Sequence, residues 1–261
     1  MKTKLSNYAL IGGIVLACSG LANAGTSFNY TGSNVDPGPS SIVETVGGIT
    51  ATATAFWANV NNSGATVTGT SNTFGSSWLA EYQTDGMGAC NPNEQPSCAS
   101  PQHQIDNYNG LDFVLFGFNT AISLSSVQVA SFGNPTGSGS ADVDLSYAVL
   151  SASQEASLVA GTLVFSTVNF TTLTTNDLSS NTYSLSGTGQ YVLIGTAVTA
   201  YYGDGSAGAA TPDAFKIQDL TVSAAATPEP ASFVLIGSGL LAGAFFGRRR
   251  LRKTASASKE V

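Results

Sequence analysis

Apolar and polar residues alternate with period two over much of this chain. In the clearest run, Ile49–Trp57, threonines alternate with alanines and larger apolar residues, as in a strand with one solvated face. Ser153–Leu158 is predicted to be a short helix. About ten short strands separated by turn residues favour an all-β fold, a single β-sandwich or jelly-roll-like domain. Besides that run, the predicted strands are Ala65–Thr70, Ser77–Tyr82, Asp112–Phe118, Ser126–Ser131, Val143–Leu150, Thr162–Phe165, Val168–Thr172, Tyr191–Tyr201 and Phe215–Ser223.

The first 24 residues have the composition of an export signal. Two lysines precede the apolar run Tyr8–Leu16, and Ala22 and Ala24 form a small-residue cleavage site before Gly25. We therefore predict that signal peptidase removes residues 1–24. The alternative is a lipoprotein signal with Cys18 as the modified residue, which the residues just before Cys18 fit poorly.

The C-terminal residues combine three features in a fixed order. Pro228, Glu229 and Pro230 form an extended segment, because proline restricts the preceding residue and has no amide donor. The uncharged run Ala231–Gly247 is just long enough to cross a thin bilayer as a helix. A basic cluster then predicts a cytoplasmic C-terminus for that helix. This cluster consists of Arg248, Arg249, Arg250, Arg252 and Lys253.

This tail resembles the PEP-CTERM sorting signal of surface proteins from Gram-negative bacteria. The Pro-Glu-Pro motif, the apolar run and the arginines occur at the spacing of that family. The resemblance implies that an exosortase, an integral-membrane protease, recognises and removes the tail after a transient stage in the inner membrane. An ordinary C-terminal membrane anchor is the alternative interpretation.

Removal of both terminal signals leaves a strongly acidic chain. Residues 25–227 retain one basic residue, Lys216, and fourteen carboxylates, which gives a formal net charge of −13. Nucleic acid is excluded as a partner, because phosphate binding depends on clusters of lysine and arginine. Anionic lipid surfaces are disfavoured for the same reason. Neutral glycans or divalent cations suit this surface better.

The middle of the chain, from about residue 85 to residue 222, carries a second resemblance. A Pro-x-His-x-x-Asp-Asn segment at residues 101–107 precedes an apolar strand, and a Pro-Asp-Ala-Phe segment follows at residues 212–215. The arrangement is similar to exosortase-dependent surface proteins of the XDP1 type. It implies a location at the surface or in the matrix, without an established chemistry.

These features divide the chain into five parts. A signal peptide precedes the β-sandwich domain, and a short linker connects that domain to the sorting helix and a cytoplasmic tail. The predicted boundaries are 1–24 for the signal peptide, 25–222 for the domain, 223–227 for the linker, 228–253 for the sorting signal and 254–261 for the tail.

Cys90 and Cys98 are the two cysteines that remain after signal-peptide cleavage. In an exported protein such a pair favours a disulfide. Closing so short a loop stabilises the fold by about 2–3 kcal/mol. A metal site is the alternative, but two thiols and one histidine lack a fourth ligand.

His103 is the only histidine, and it precedes Asp106 by three residues. The pair has the chemistry of a general base and its orienting carboxylate. However, no Gly-x-Ser-x-Gly nucleophile motif accompanies it. We expect instead that His103, Asp106 and Asn107 hydrogen-bond backbone groups where the chain enters the strand at 112–118.

Asp142 and Asp144 are expected on one strand face, about 7 Å apart. That spacing fits glycoside hydrolysis, calcium binding or, most commonly, two solvated carboxylates. We predict no catalytic residues, no metal and no cofactor, with calcium as the one candidate ion. Exposed aromatic residues would suit sugar stacking, although a sandwich core also needs large side chains. The candidates are Trp57, Trp78, Tyr82, Tyr108, Tyr201 and Tyr202.

The sequence thus predicts an exported, exosortase-processed protein of the cell surface or extracellular matrix. Its expected role is structural or adhesive, within a polysaccharide-rich layer such as a biofilm matrix. The expected partners are exosortase, signal peptidase and extracellular polysaccharide. A carbohydrate-binding module is the alternative. A glycan-acting hydrolase comes third, because residues 25–227 contain a single histidine, a single lysine and no arginine.

Overall fold

A computed structural model describes residues 25–32, 41–59, 61–63, 66–68, 72–82, 84–94, 103–107, 110–131, 143–174, 181–198 and 213–225. These residues form fifteen strands and one α-helix, so the all-β prediction is confirmed. The strands are β1 Thr26–Asn29, β2 Ile42–Val46, β3 Ile49–Ala58, β4 Asn61–Ser63, β5 Thr66–Thr68, β6 Phe74–Ser76, β7 Trp78–Tyr82, β8 Gly86–Cys90, β9 Ile105–Asp106, β10 Leu111–Ser131, β11 Leu145–Leu150, β12 Thr171–Leu173, β13 Asn181–Ser184, β14 Thr188–Thr196 and β15 Ala214–Ala224.

Strand β10 organises the sheet. It is 21 residues long and belongs to a 13-stranded antiparallel sheet, while β4 and β5 pair only with each other. Its first half pairs with β3 and β14, and its second half pairs with β13 and β15. The sequence predicted two strands here, Asp112–Phe118 and Ser126–Ser131. Residues 119–121 between them are all exposed. The backbone nevertheless continues as one strand, and the register with β14 shifts between Gly117 and Ile122.

The sheet folds over one main hydrophobic core. β1 pairs with β15, yet its Phe28 lies against Phe118 in the first half of β10, with ring centroids 5.9 Å apart. Tyr30, just after β1, approaches Phe116 in the same way at 5.7 Å. Strands paired with the second half of β10 therefore face its first half across the core, as in a two-layered sandwich.

A second, smaller core covers the other face of the first half of β10. Phe113 packs edge-on against Phe74 at 5.4 Å and stacks on Phe170, also at 5.4 Å. Helix α1, Ala152–Val159, contributes its buried Leu158 to this cluster. The predicted helix is therefore confirmed, with one additional residue at each end.

Two local features differ from the expected elements. The predicted strand Thr162–Phe165 is wrong, because the chain forms a 3₁₀ turn at Phe165–Thr167 and pairs only through an isolated bridge at Val164. β15 extends to Ala224, two residues into the segment that the sequence suggested as a linker. Within the described ranges, no helix is long and apolar enough to span a membrane.

Candidate functional site

Three buried carboxylates from three separate segments converge at the start of β10. Glu94 ends the 3₁₀ turn Pro92–Glu94 after β8, Asp106 ends β9, and Asp112 is the second residue of β10. One oxygen from each lies within 4.8 Å of the other two. Asp106 and Asp112 are completely buried, and Glu94 is 9% exposed. We call these three residues the carboxylate cluster.

A glycine contact holds the segment before Asp106 against β8. A Cβ atom added to Gly88 would lie 1.8 Å from the carbonyl oxygen of His103, far inside van der Waals contact. Only glycine allows the two backbones to approach so closely. Asp106 itself is held by the pairing of β9 with β15, and Thr196 Oγ1 donates to its carbonyl at 3.5 Å.

The turn at residues 91–94 positions Glu94. The backbone N–H of Asn91 donates to Glu94 Oε2 at 3.1 Å, and the N–H of Glu94 donates to the carbonyl of Asn91 at 3.1 Å. The N–H of Asn93 donates to Asn91 Oδ1 at 2.9 Å. Asn91 is fully buried, so its side-chain nitrogen lies inside the protein beside the cluster.

Asp112 lies in an environment that disfavours its charged form. Neither of its oxygens, nor Asn91 Nδ2, makes a hydrogen bond of good geometry with a described residue. Asn91 and the backbone of Asp106 do lie close enough to lower the pKa of Asp112 in part. Burial, followed by the charges of Glu94 and Asp106, nevertheless raises that pKa well above its usual range.

Glu94 experiences the same environment. Burial, with the charge of Asp106 as the second cause, raises the pKa of Glu94 to about 9. Among the described residues, no basic side chain contributes to the pKa of Glu94 or Asp112. Glu94 and Asp112 therefore favour a proton or a bound cation, either of which would offset their negative charge.

Residues 103–107 of the Pro-x-His-x-x-Asp-Asn segment are all buried, and several have side-chain partners. His103 Nδ1 hydrogen-bonds Tyr82 Oη, and Lys216 Nζ lies 3.8 Å from the centre of the Tyr82 ring. Asn107 Nδ2 donates to Asp213 Oδ2 at 2.8 Å. These side-chain contacts connect His103 to β7 and Asn107 to the residue before β15. The predicted hydrogen bonds to backbone groups stay a prediction.

The candidate acidic pair on the next strand is described only in part. Asp142 lies outside the described residues, so its position relative to Asp144 stays a prediction. Asp144 is 2% exposed, and the expectation that it faces solvent is therefore wrong. Cys90 is completely buried, whereas Cys98 lies outside the described residues, so their pairing also stays a prediction.

A second polar site is exposed on the opposite face of β10. This groove has a volume of about 340 Å³, and we call it the threonine groove. Three hydroxyls from alternate residues of β3 line it beside the partly exposed ring of Tyr191. Its lining residues are Thr50, Thr52, Thr54, Leu115, Gly117, Phe118, Asn119, Glu155, Val159 and Tyr191.

The described residues that the sequence suggested for sugar stacking lie outside the threonine groove. Trp78 is 42% exposed, and Trp57 and Tyr82 are partly buried. Tyr108, Tyr201 and Tyr202 lie outside the described residues. Trp57, Trp78 and Tyr82 do not line the groove, whereas Tyr191 does, and the sequence predicts Tyr191 only as part of a strand.

The terminal signals lie almost wholly outside the described residues. Gly25, which follows the predicted signal-peptide cleavage site, is the first residue described. The remaining sequence-predicted positions, for which the structure gives no account, are Ala22, Ala24, Pro228, Glu229, Pro230, Arg248, Arg249, Arg250, Arg252 and Lys253.

The fold and its sites define an acidic all-β domain with one buried and one exposed polar site. Comparison with protein families adds that residues 226–250 match the PEP-CTERM protein-sorting motif. No curated protein and no solved structure matches the chain. The motif implies export, processing by an exosortase and display at the surface. It does not extend to the XDP1-type resemblance, which stays a prediction.

Proposed function

We propose that the processed domain is a non-enzymatic, structural or adhesive component of a polysaccharide-rich layer outside the cell. The sorting motif at residues 226–250 is the observation that carries the proposal, because it sends the domain to that environment. Signal peptidase removes the leader, the tail passes through the inner membrane, and exosortase cleavage leaves the acidic domain at the surface or in the matrix.

The threonine groove supports contact with neutral polysaccharide. Hydroxyl groups at Thr50, Thr52 and Thr54 can exchange hydrogen bonds with sugar hydroxyls, and the ring of Tyr191 offers an apolar face beside them. The only basic side chain of residues 25–227, Lys216, is buried. The domain therefore presents no cationic group to an acidic glycan, and a neutral glycan is the better partner.

The burial of the acidic residues supports a role without catalysis. A glycoside hydrolase needs two carboxyl groups in contact with the scissile bond. The clustered carboxylates are instead at most 9% exposed, so a polysaccharide chain cannot reach them. Glu155, the acidic residue of the groove, has no second carboxylate among the groove's lining residues.

Sorting is tested by the intact mass of the protein recovered from cells with and without the host's exosortase. We expect a product that starts at Gly25 and ends near Pro228 only when exosortase is present. A product that retains the arginine cluster in both strains would mean an ordinary anchor and would overturn the sorting step.

Glycan contact is tested by sedimentation of the processed protein with the host's extracellular polysaccharide. We expect Tyr191→Ala to weaken binding about tenfold, because the loss of an aromatic contact is worth roughly 0.5–1.5 kcal/mol. Trp78→Ala is the matched control, since it removes an exposed aromatic residue outside the groove. Equal losses in the two variants, or no binding by the wild type, would contradict the role of the groove.

A carbohydrate-binding module is the second candidate, and the aromatic ring of Tyr191 beside the threonine hydroxyls favours it. A module of this kind binds one defined sugar with a saturable affinity, whereas an adhesive surface binds many chains weakly. Calorimetric titration with short oligosaccharides separates the two. Saturable binding that Tyr191→Ala abolishes would identify a module.

A further inference from the structure

We propose that the carboxylate cluster is a binding site for one calcium-like divalent cation. The inference is independent of glycan binding, because it concerns the buried side of the domain. Glu94, Asp106 and Asp112 supply hard oxygen ligands, which is the chemistry that calcium prefers.

The spacing of the three oxygens fits a calcium ion. Calcium holds its oxygen ligands at about 2.3–2.6 Å, so two ligands on opposite sides of one ion lie about 4.6–5.2 Å apart. The three carboxylate oxygens lie within 4.8 Å of one another, inside that limit. Calcium is preferred to magnesium because magnesium keeps several of its waters and is rarely bound by protein ligands alone.

Buried polar atoms at the site provide an independent indication. Both oxygens of Asp112 are buried without a hydrogen bond of good geometry to any described residue. Buried polar atoms are normally satisfied, and a bound cation would satisfy carboxylate oxygens that have no such hydrogen bond.

The fold gives the ion a structural role. Asp112 begins β10, the strand around which the sheet is built, while Glu94 and Asp106 come from a turn and a two-residue strand. These two short segments make few backbone hydrogen bonds of their own. An ion bound by all three carboxylates would connect them directly to β10, as in extracellular modules that bind calcium with a Kd of about 10⁻⁴–10⁻³ M.

The main test is the calcium dependence of unfolding for the processed protein. After removal of metals with EGTA and dialysis, we expect addition of CaCl₂ at ten times its Kd to lower the unfolding equilibrium constant about tenfold. We also expect equilibrium dialysis with radioactive calcium to give one ion per chain. MgCl₂ at the same concentration should have a much smaller effect.

Variants separate a specific site from general screening of an acidic surface. Asp112→Asn keeps the side-chain shape but removes a ligand charge, so we expect it to fold without metal and to lose the response to calcium. Asp85→Asn, in the exposed turn after β7, is the matched control and should respond as the wild type does. If Asp112→Asn does not fold, Glu94→Gln tests the same ligand set from its partly exposed side.

Two results would overturn the proposal. One is the absence of bound calcium and of any stabilisation up to 10 mM CaCl₂ in the metal-free wild-type protein. The other is an equal calcium response in the wild type and in a folded cluster variant. Either result would mean that the cluster does not bind calcium.

Discussion

The carboxylate cluster and the threonine groove lie on opposite faces of β10. One is buried and the other is exposed, so their polar groups are satisfied in different ways. Asp112 points with Val114 and Phe116 toward the main core, whereas Leu115 and Gly117 line the threonine groove. Water satisfies hydroxyls in an open groove at no cost, but a buried carboxylate needs a proton or a partner. The buried site should therefore affect stability, and the exposed site should affect binding alone.

Substitution of one glycine at each site should give the largest difference in stability between the two sites. Gly88→Ala places a Cβ 1.8 Å from the His103 carbonyl and must displace the segment that carries Asp106. We expect urea unfolding to show a loss of about 3 kcal/mol or more, at the upper end for overpacking.

Gly117→Ala is the corresponding change in the groove. Its Cβ would meet Tyr191 at 3.7 Å, an ordinary contact. Here we expect a neutral change or a gain of about 0.4–1 kcal/mol, because alanine restricts the unfolded chain. Similar losses for the two glycines would show that the two faces are not energetically distinct.

The pH dependence of the free energy of unfolding should test the carboxylate cluster, which is the buried site of the two. In metal-free buffer, folded Glu94 binds its proton up to a pKa of about 9, against 4.5 as the ordinary value. At a pH between these two values, Glu94 is protonated in the folded state and ionised in the unfolded state. The contribution of this proton to the free energy of unfolding is therefore complete below pH 4.5 and is lost as the pH rises toward 9. The measurement is the urea midpoint from pH 4 to pH 9.

Glu94→Gln is the control for this pH profile. The variant has no proton to lose at this position, and its decline across the same window should be smaller. A wild-type profile as flat as that of the variant would contradict the raised pKa.

A smaller effect on stability is expected from a substitution at the N-terminus of α1, the helix that forms one wall of the threonine groove. The Ser151 side chain accepts a hydrogen bond from Gln154 N at 3.3 Å, and Gln154 Oε1 accepts one from Ser151 N at 3.0 Å. Loss of this capping box in Ser151→Ala should cost about 1 kcal/mol in urea unfolding. Calcium binding should be unchanged, and a change in it would mean that the two sites are coupled.

The smallest effect on stability is expected from a groove hydroxyl. Thr52→Val preserves the shape of the side chain and should change the free energy of unfolding by less than about 0.5 kcal/mol. Binding to polysaccharide should weaken if the hydroxyls make direct contacts, and Thr52→Ser should restore it. A clear loss of stability in Thr52→Val would show that this face also contributes to the fold.

The sequence predicted strands where apolar and polar residues alternate regularly. It did not predict that β10 continues as one strand between the two layers. Ile49–Trp57 appears almost unchanged as β3, because buried and partly exposed residues alternate from Ile49 to Ala55. Across residues 119–121 no face is buried, so periodicity could not show that β10 continues. β8, Gly86–Cys90, is buried at every position and carries no alternation at all.

The carboxylate cluster was missed because its members are far apart in the sequence. Asp106 was considered beside His103, and Asp112 was read only as the start of a strand. One signal was available: a charged residue inside the apolar run 111–116 must be buried if its neighbours are. Its partner Glu94 could not have been identified, since only the close approach of β8 to residues 103–104 brings the turn to the site.

The place of β15 in the sheet also determines when this protein can fold. β15 pairs with β1 near the N-terminal end of the domain and with the central strand β10, yet it ends at Ala224, two residues before the matched sorting motif begins. Among the described strands, β1 therefore has no partner in the sheet until residues 214–224 have been synthesised, and the second half of β10 lacks one of its two. A chain that stops before β15 cannot complete the sheet, so completion of the fold waits for the residues directly before the sorting motif.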